Sequence, residues 1–200
     1  MTAPSPAARM ATARDDAALA QSLSRAFADD PVWRFLVPSP RRWEAGADRF
    51  FRAELAALRR RGGEVWTVGG HAVAMWAAPD RWRGSPRELA GILPSGLRLF
   101  ARRTPVALRA LSTIEREHPR DEHWYLAVLG TDPDHQGNGL GSAVLQPVLE
   151  RCDAEGIPAF LESSKERNLA FYARHGFVAG DPIELPGGGP PVWPMRREPR

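Results

Sequence analysis

Residues 132 to 144 read DPDHQGNGLGSAV, which sets Gly137, Gly139 and Gly141 between an apolar run and a stretch of helical spacing. A glycine inside a helix costs about 1 kcal/mol relative to alanine. Three of them at a helix start imply a backbone that turns sharply there, or one that something must approach closely. The first N–H groups of a helix have no internal partner, and the helix dipole adds partial positive charge at the same place. Without side chains in the way, such a loop is fitted to receive a phosphate or pyrophosphate on main-chain amides.

The spacing is not that of a P-loop, and no lysine stands nearby. Position 142, where the last glycine of a dinucleotide fingerprint would fall, is Ser142, which argues against nicotinamide binding. The 27 basic residues include a single lysine, Lys165; the rest are arginines, whose fork suits phosphate. They are scattered, however, with no aromatic-interleaved strip of the kind single-strand binders use, and Arg59–Arg61 ends a helix where cations favour the dipole. No nucleic-acid partner is expected. Nor is a membrane one, since no apolar run approaches 18 residues and the first sixteen contain no signal-type segment. The lone Cys152, in an apolar helical pattern, reads as a buried hydrophobe and fits a reducing cytosol.

Gln136, Gly139 and Gly141 fill the pattern Q/R-x-x-G-x-G/A, and ESSKERNLAFYARHGF (162–177) supplies an asparagine, a tyrosine and Gly-Phe in order. By these two motifs the chain resembles the GNAT superfamily of N-acetyltransferases over residues 123–180. Within it, DHQGNGLGSAV, PAFLES, RNLAFYARHGF, AFADDP and VWTVGGHAVAMWAAP are similar to the puromycin N-acetyltransferases, whereas residues 80–120 are not. The resemblance implies an α/β fold with a mixed, mostly antiparallel central sheet flanked by helices, its fourth and fifth strands parallel and splayed at an acetyl-CoA site. It implies one domain over 1–200, with 1–120 mainly on the acceptor side, 121–180 carrying the acetyl-CoA motif and 181–200 the closing strands. The implied reaction moves an acetyl group from acetyl-CoA, with no metal, to a primary amine of a small molecule in a ternary complex. An antibiotic of puromycin type is one candidate acceptor. Acetylation of protein N-termini or lysines, or a non-catalytic CoA-binding regulatory module, are the alternatives, and the chain is expected as a monomer or homodimer.

Thioester-to-amine transfer needs a proton taken from the amine, one given to the sulfur, and stabilisation of an oxyanion. The resemblance makes Tyr172 the general acid beside the CoA sulfur. Tyr172 follows Asn168 by four residues, so both can share a helix face; Asn168 reads either as a contact to CoA or as a helix cap. Glu162, at the end of PAFLES, is the candidate base, or else a structural carboxylate paired with an arginine. Main-chain groups of Leu129, Gly130 and Thr131 are implied partners of the pantetheine amide and the oxyanion. Gln136, Gly137, Asn138, Gly139, Leu140, Gly141, Ser142 and Phe171 complete the implied CoA contacts. Trp33, Phe35, Trp76 and Trp124 read either as walls of an aromatic acceptor pocket or as core. Asp30, also assigned to acceptor binding, stands where the similar segment of the puromycin enzymes carries tyrosine. His118 and His123 read as solvated residues of an arginine-rich connector, and His135 and His175 as packing or capping beside the loops.

The elements that must position these residues follow from periodicity. Residues 7–13 read as a strand, and a helix opens at Asp15 or Asp16 with Leu19, Leu23 and Phe27 on one face. DDPVWRFLVPSP reads as a loop. A second helix carries Trp43, Ala47, Phe50, Phe51, Leu55 and Leu58 and stops at Gly62-Gly63. EVWTVGGHAVAMWAAP reads as a hairpin through Gly69-Gly70. Ser85-Pro86 with Glu88 and Thr104-Pro105 open two further helices. EHWYLAVLGT and IPAFLES are strands around a helix from Leu140 to Cys152, and RNLAFYARHG is a short helix. FVAGDPIEL and PVWPMRR are closing strands.

Overall fold

The computed structural model describes residues 7–200. The apolar periods become elements much as spaced. α1 (Asp16–Ala26) buries Leu19 and Leu23, and α3 (Pro40–Arg60) buries the whole stripe from Trp43 to Leu58. The hairpin of β2 (Glu64–Val68) and β3 (Ala72–Ala77) turns through Gly69, Gly70 and His71, with both glycines at positive φ. α4 (Pro86–Phe100) starts in a complete capping box between Ser85 and Glu88. α5 (Thr104–Glu117) follows a short 3-10 turn, β4 spans Trp124–Thr131, and α6 spans Leu140–Glu155. β5 (Ala159–Ser163), α7 (Leu169–Arg174), β6 (Val178–Ala179), β7 (Ile183–Glu184) and β8 (Pro191–Arg197) complete the chain.

Three local expectations change. The first strand shrinks to β1 (Arg9–Met10), because the Asp15 carboxylate accepts the Thr12 N–H at 2.7 Å and turns the chain. Pro31–Leu36, read as loop, is a helix, α2: the Asp30 carboxylate accepts from Val32 N and Trp33 N at 3.0 and 3.2 Å, and Pro31 occupies the first turn. Thr104 does not cap α5; its hydroxyl donates back to the Ala101 carbonyl at 2.7 Å.

The sheet runs β1-β2-β3-β4-β5-β8-β6, with β7 also on β8, and every pairing is antiparallel except β4 with β5. All six residues of β3 are buried, so its alternate side chains feed two cores. Val73 and Met75 join α1, α3 and Leu99 of α4 on one face; Ala74 and Trp76 join Val144, Leu145 and Val148 of α6 on the other. This sandwich fixes the ends of β4 and β5, where the chemistry-bearing residues sit.

Candidate active site

The parallel pair is joined at only two positions, Trp124 with Ala159 and Tyr125 with Phe160. Beyond them β4 stays on β3 and β5 on β8. The β3–β4 register also slips: Trp76 faces Leu126 while Met75 faces Val128, leaving Ala127 as an extra residue on β4. Such a bulge bends its strand and increases local twist, and the two strands diverge. The result is a cleft of about 580 Å³ with Leu126–Thr131 on one wall and Leu161–Lys165 on the other. The end of α1, the glycine loop and α7 close its sides.

Gly137 and Gly139 hold φ of 79° and 74°, left-handed values that side chains other than glycine rarely adopt. Gly139 precedes α6 without any side-chain cap, and the helix's first internal bond runs from Ala143 N to Gly139 O at 3.0 Å. The amides of Gly137 and Gly139 belong to residues that line the cleft and have no partner among the described residues. Side chains around them brace the loop. Gln136 Nε2 donates to the Thr131 carbonyl at 3.1 Å, Asn138 Nδ2 to the His135 carbonyl at 3.3 Å, and Leu140 is rooted in the core. Ser142 Oγ and His175 Nε2 lie 2.9 Å apart, and burial lowers the pKa of that imidazole. His135 stacks on His71 with ring centroids 3.6 Å apart. A Cβ on Gly141 would meet Phe171 Cζ at 3.4 Å, so the loop runs along the Phe171 ring. Gly130 has a different cause: a Cβ there would lie 2.8 Å from Leu23, so its bareness lets α1 pack on β4.

Asn168 lines the cleft and makes no side-chain cap to α7. Tyr172, one turn on, is 7% exposed and reaches the cleft. Burial first, then the negative charge of Asp30, push its phenol pKa up, so the hydroxyl keeps its proton at any ordinary pH. Asp30 borders the same cavity, yet its oxygens are committed: besides capping α2 it accepts the Ser164 hydroxyl. Asp30, assigned to acceptor binding, thus borders the cleft while also capping α2. The tryptophans are corrected. Trp33 packs among Trp43, Phe50 and Phe51 at 5.3 to 5.6 Å and stacks on Phe100. Trp76 and Trp124 fall on the pleat positions facing α6 and are buried in that core. None of the three lines the cleft. Phe35 instead lies beneath the Arg103 guanidinium.

Glu162 faces the cleft from β5, and behind it stand the two histidines expected in solvent. They are buried, at 6% and 1% exposure. His118 Nδ1 lies 3.2 Å from Glu162 Oε1, His118 Nε2 lies 3.0 Å from His123 Nε2, and His123 Nδ1 lies 2.7 Å from the Asp121 carbonyl oxygen. Trp82 stacks on His118 at 3.7 Å. Tyr125 adjoins the same carboxylate; burial and then the charge of Glu162 hold its phenol well above the usual range. Glu54 of α3, partly exposed, is raised to about 7 by burial. This buried polar cluster escapes the sequence because its members lie far apart along the chain. Lys165 and Arg167 also border the cleft, their charges met by Asp29 at 2.5 and 2.9 Å. Among the described residues no three His, Cys, Asp or Glu side chains converge as metal ligands would, and no helix is long and apolar enough to cross a membrane.

A model of the acetyltransferase (GNAT) family matches residues 65–177. The chain is 31% identical over 196 residues to an uncharacterized N-acetyltransferase of Schizosaccharomyces pombe, across 90% of this chain and 77% of that protein. It is similar to a Corynebacterium glutamicum structure described as histone acetyltransferase HPA2 and related acetyltransferase, with 26% identity, a TM-score of 0.74, and 98% and 97% of the two chains covered. A Drosophila melanogaster polyamine N-acetyltransferase that forms N-acetylagmatine shares the fold at 16% identity and a TM-score of 0.61, over 96% of this chain and 98% of that one.

Proposed function

We propose that this chain, which belongs to the GNAT family of acetyltransferases, acetylates the primary amine of a small molecule by direct transfer within a ternary complex. Acetyl-CoA-dependent N-acetyltransfer is the activity of the family, and solved structures of this fold hold acetyl-CoA or coenzyme A. The observation that carries the reading is one continuous cleft bordered at once by the unpartnered loop amides, the Tyr172 hydroxyl and the Glu162 carboxylate.

The loop from Gln136 to Ser142 would take the pyrophosphate on its main chain, with Phe171 and Asn168 alongside. The free edge of β4 at Leu129–Thr131 would pair with the pantetheine arm. The bound co-substrate supplies the acetyl group. Glu162 takes a proton from the attacking amine as the N–C bond forms, and Tyr172 gives its proton to the sulfur as the C–S bond breaks. A main-chain N–H of β4 holds the oxyanion. Direct transfer is supported by the lone cysteine: Cys152 is fully buried in the α6 core and burial pushes its thiol up to about 12, which leaves no thiolate to carry an acyl group. It also fits a reducing cytosol. A compact amine is supported by the volume of the cleft, about 580 Å³ to be shared with the co-substrate. The agmatine acceptor of the Drosophila protein, and the puromycin-like segments of the sequence, suggest where to begin.

The test is thiol release from acetyl-CoA across agmatine, polyamines, puromycin and a lysine-containing histone peptide. Turnover with a small amine is expected. Turnover confined to the peptide would make the acceptor a protein, and none with any amine would favour a CoA-binding module.

A further inference from the structure

The hydrogen-bond chain behind Glu162 admits few arrangements of protons. The Asp121 carbonyl oxygen can only accept, so His123 Nδ1 carries a hydrogen. Burial, the largest influence, lowers the His123 pKa, and a neutral His123 then presents a bare Nε2. His118 Nε2, 3.0 Å away, must donate to it. One contact remains, His118 Nδ1 with Glu162 Oε1 at 3.2 Å. A neutral His118 would set a bare nitrogen against a carboxylate, so the pair must share one further proton. It sits either on His118, giving imidazolium and carboxylate, or on Glu162. The Trp82 ring stacked on His118 at 3.7 Å favours the cation.

We propose that His118 is a positioning residue for acetyl transfer. Locked by His123 and held as an imidazolium over Trp82, it keeps Glu162 ionised and oriented for the amine proton, beside the Tyr125 hydroxyl that hydrogen-bonds the same carboxylate. This rests on Glu162 as the base of the reaction proposed above. His118 touches no reactant: it does not border the cleft. The neutral Tyr125 phenol from β4 hydrogen-bonds Glu162 and is itself influenced by Glu54 from α3 and by Arg61, while Asp121 and Arg196 face His123 and Arg83 covers Trp82. An arginine guanidinium does not deprotonate in the working range. Glu54, raised to about 7, changes charge within it and must be held constant in any comparison, for which Glu54→Gln is the background.

Two measurements test the arrangement. In ¹⁵N-labelled protein at pH 7, the His118 ring nitrogens are expected to show the doubly protonated pattern, and in Glu162→Gln the neutral one. A neutral His118 in the native protein, or an imidazolium indifferent to Glu162→Gln, would overturn the proposal. This readout needs no turnover, so it separates failure of the pair from failure of the acetyltransferase reading. In the Glu54→Gln background, His118→Gln should move the acid limb of kcat to higher pH by about 1–3 units, as expected when a cation is removed from beside a carboxylate. KM for acetyl-CoA should stay unchanged. Loss of rate with the limb unmoved would make His118 merely structural and also overturn the proposal. Should His118→Gln fail to fold, the ring-nitrogen signals of the native protein still decide.

Discussion

Replacing Gly141 by alanine should strengthen the fold, and replacing Gly139 by valine should weaken the grip on acetyl-CoA. Gly141 lies in the first turn of α6 with ordinary φ, so alanine strains nothing there. Its Cβ would meet Phe171 Cζ at 3.4 Å, Phe171 Cε2 at 3.6 Å and Thr131 Oγ1 at 3.7 Å, all within van der Waals range. Alanine also loses less chain entropy than glycine on entering a helix, which contributes up to about 1 kcal/mol. For a chain of this size that raises Tm by roughly 2–4 °C. Alanine is admitted at this position by the pattern Q/R-x-x-G-x-G/A, so its methyl leaves the amides within reach of the pyrophosphate. A valine at Gly139, which lines the cleft at a φ of 74°, would displace the pyrophosphate. A hydrogen bond to a charged group contributes about 1.5–3 kcal/mol, so displacing one there weakens binding by about 10- to 150-fold. Calorimetric melting without ligand gives the first quantity and isothermal titration with acetyl-CoA the second. An affinity of Gly139→Val within twofold of the native value would refute the assignment of pyrophosphate to this loop, whatever the melting temperature did.

Tyr172→Phe keeps the ring and its packing, and should lower kcat by about 10²–10⁴-fold while KM for acetyl-CoA changes little; an unchanged kcat where chemistry limits turnover would remove the hydroxyl from the mechanism. Glu54 has a folded-state pKa of about 7 against 4.5 unfolded, so its protonated form supports the fold fully below pH 4.5 and that support is lost as pH rises through 7. Chemical denaturation should accordingly show Glu54→Gln matching the native protein near pH 4 and exceeding it at pH 8, by at most about 3 kcal/mol; equal stability at both pH values would contradict the shift. Asp30→Ala removes the cap of α2 and the partner of Ser164, and should cost about 1–2 kcal/mol in urea unfolding. A smaller loss would mean that Asp30 is not structural.

The glycine loop and α7 were legible because each is a local feature, with the relevant residues a few positions apart between recognisable strands. The stripe from Trp43 to Leu58 was legible for the same reason. α2 carried a readable signal in Asp30-Pro31, a cap followed by a first-turn proline, but its six residues are too short for periodicity to register. His118 and His123 were misread because neighbouring arginines and acids describe only the local chain; their burial is decided by Trp82, Phe160 and Glu162 arriving from elsewhere. Trp76 sits in a strand buried on both faces, where alternation gives no clue to which side is the cleft. The Ala127 bulge, which turns β4 away from β5, has no glycine or proline to announce it.

The two-position seam between β4 and β5 makes the protein a pair of plates riveted at one end. The loop and the β4 amides ride on one plate, Glu162 on the other. From Tyr125 to Thr131 is about 20 Å of strand at ~3.3 Å per residue. A rotation of about 3° at the rivet therefore carries the far end through about 1 Å, a displacement large enough to cost on the order of 10²-fold in rate. The mechanical tolerance of the reaction is thus held at Trp124 and Ala159, packed in the core at the closed end of the cleft and in contact with no reactant.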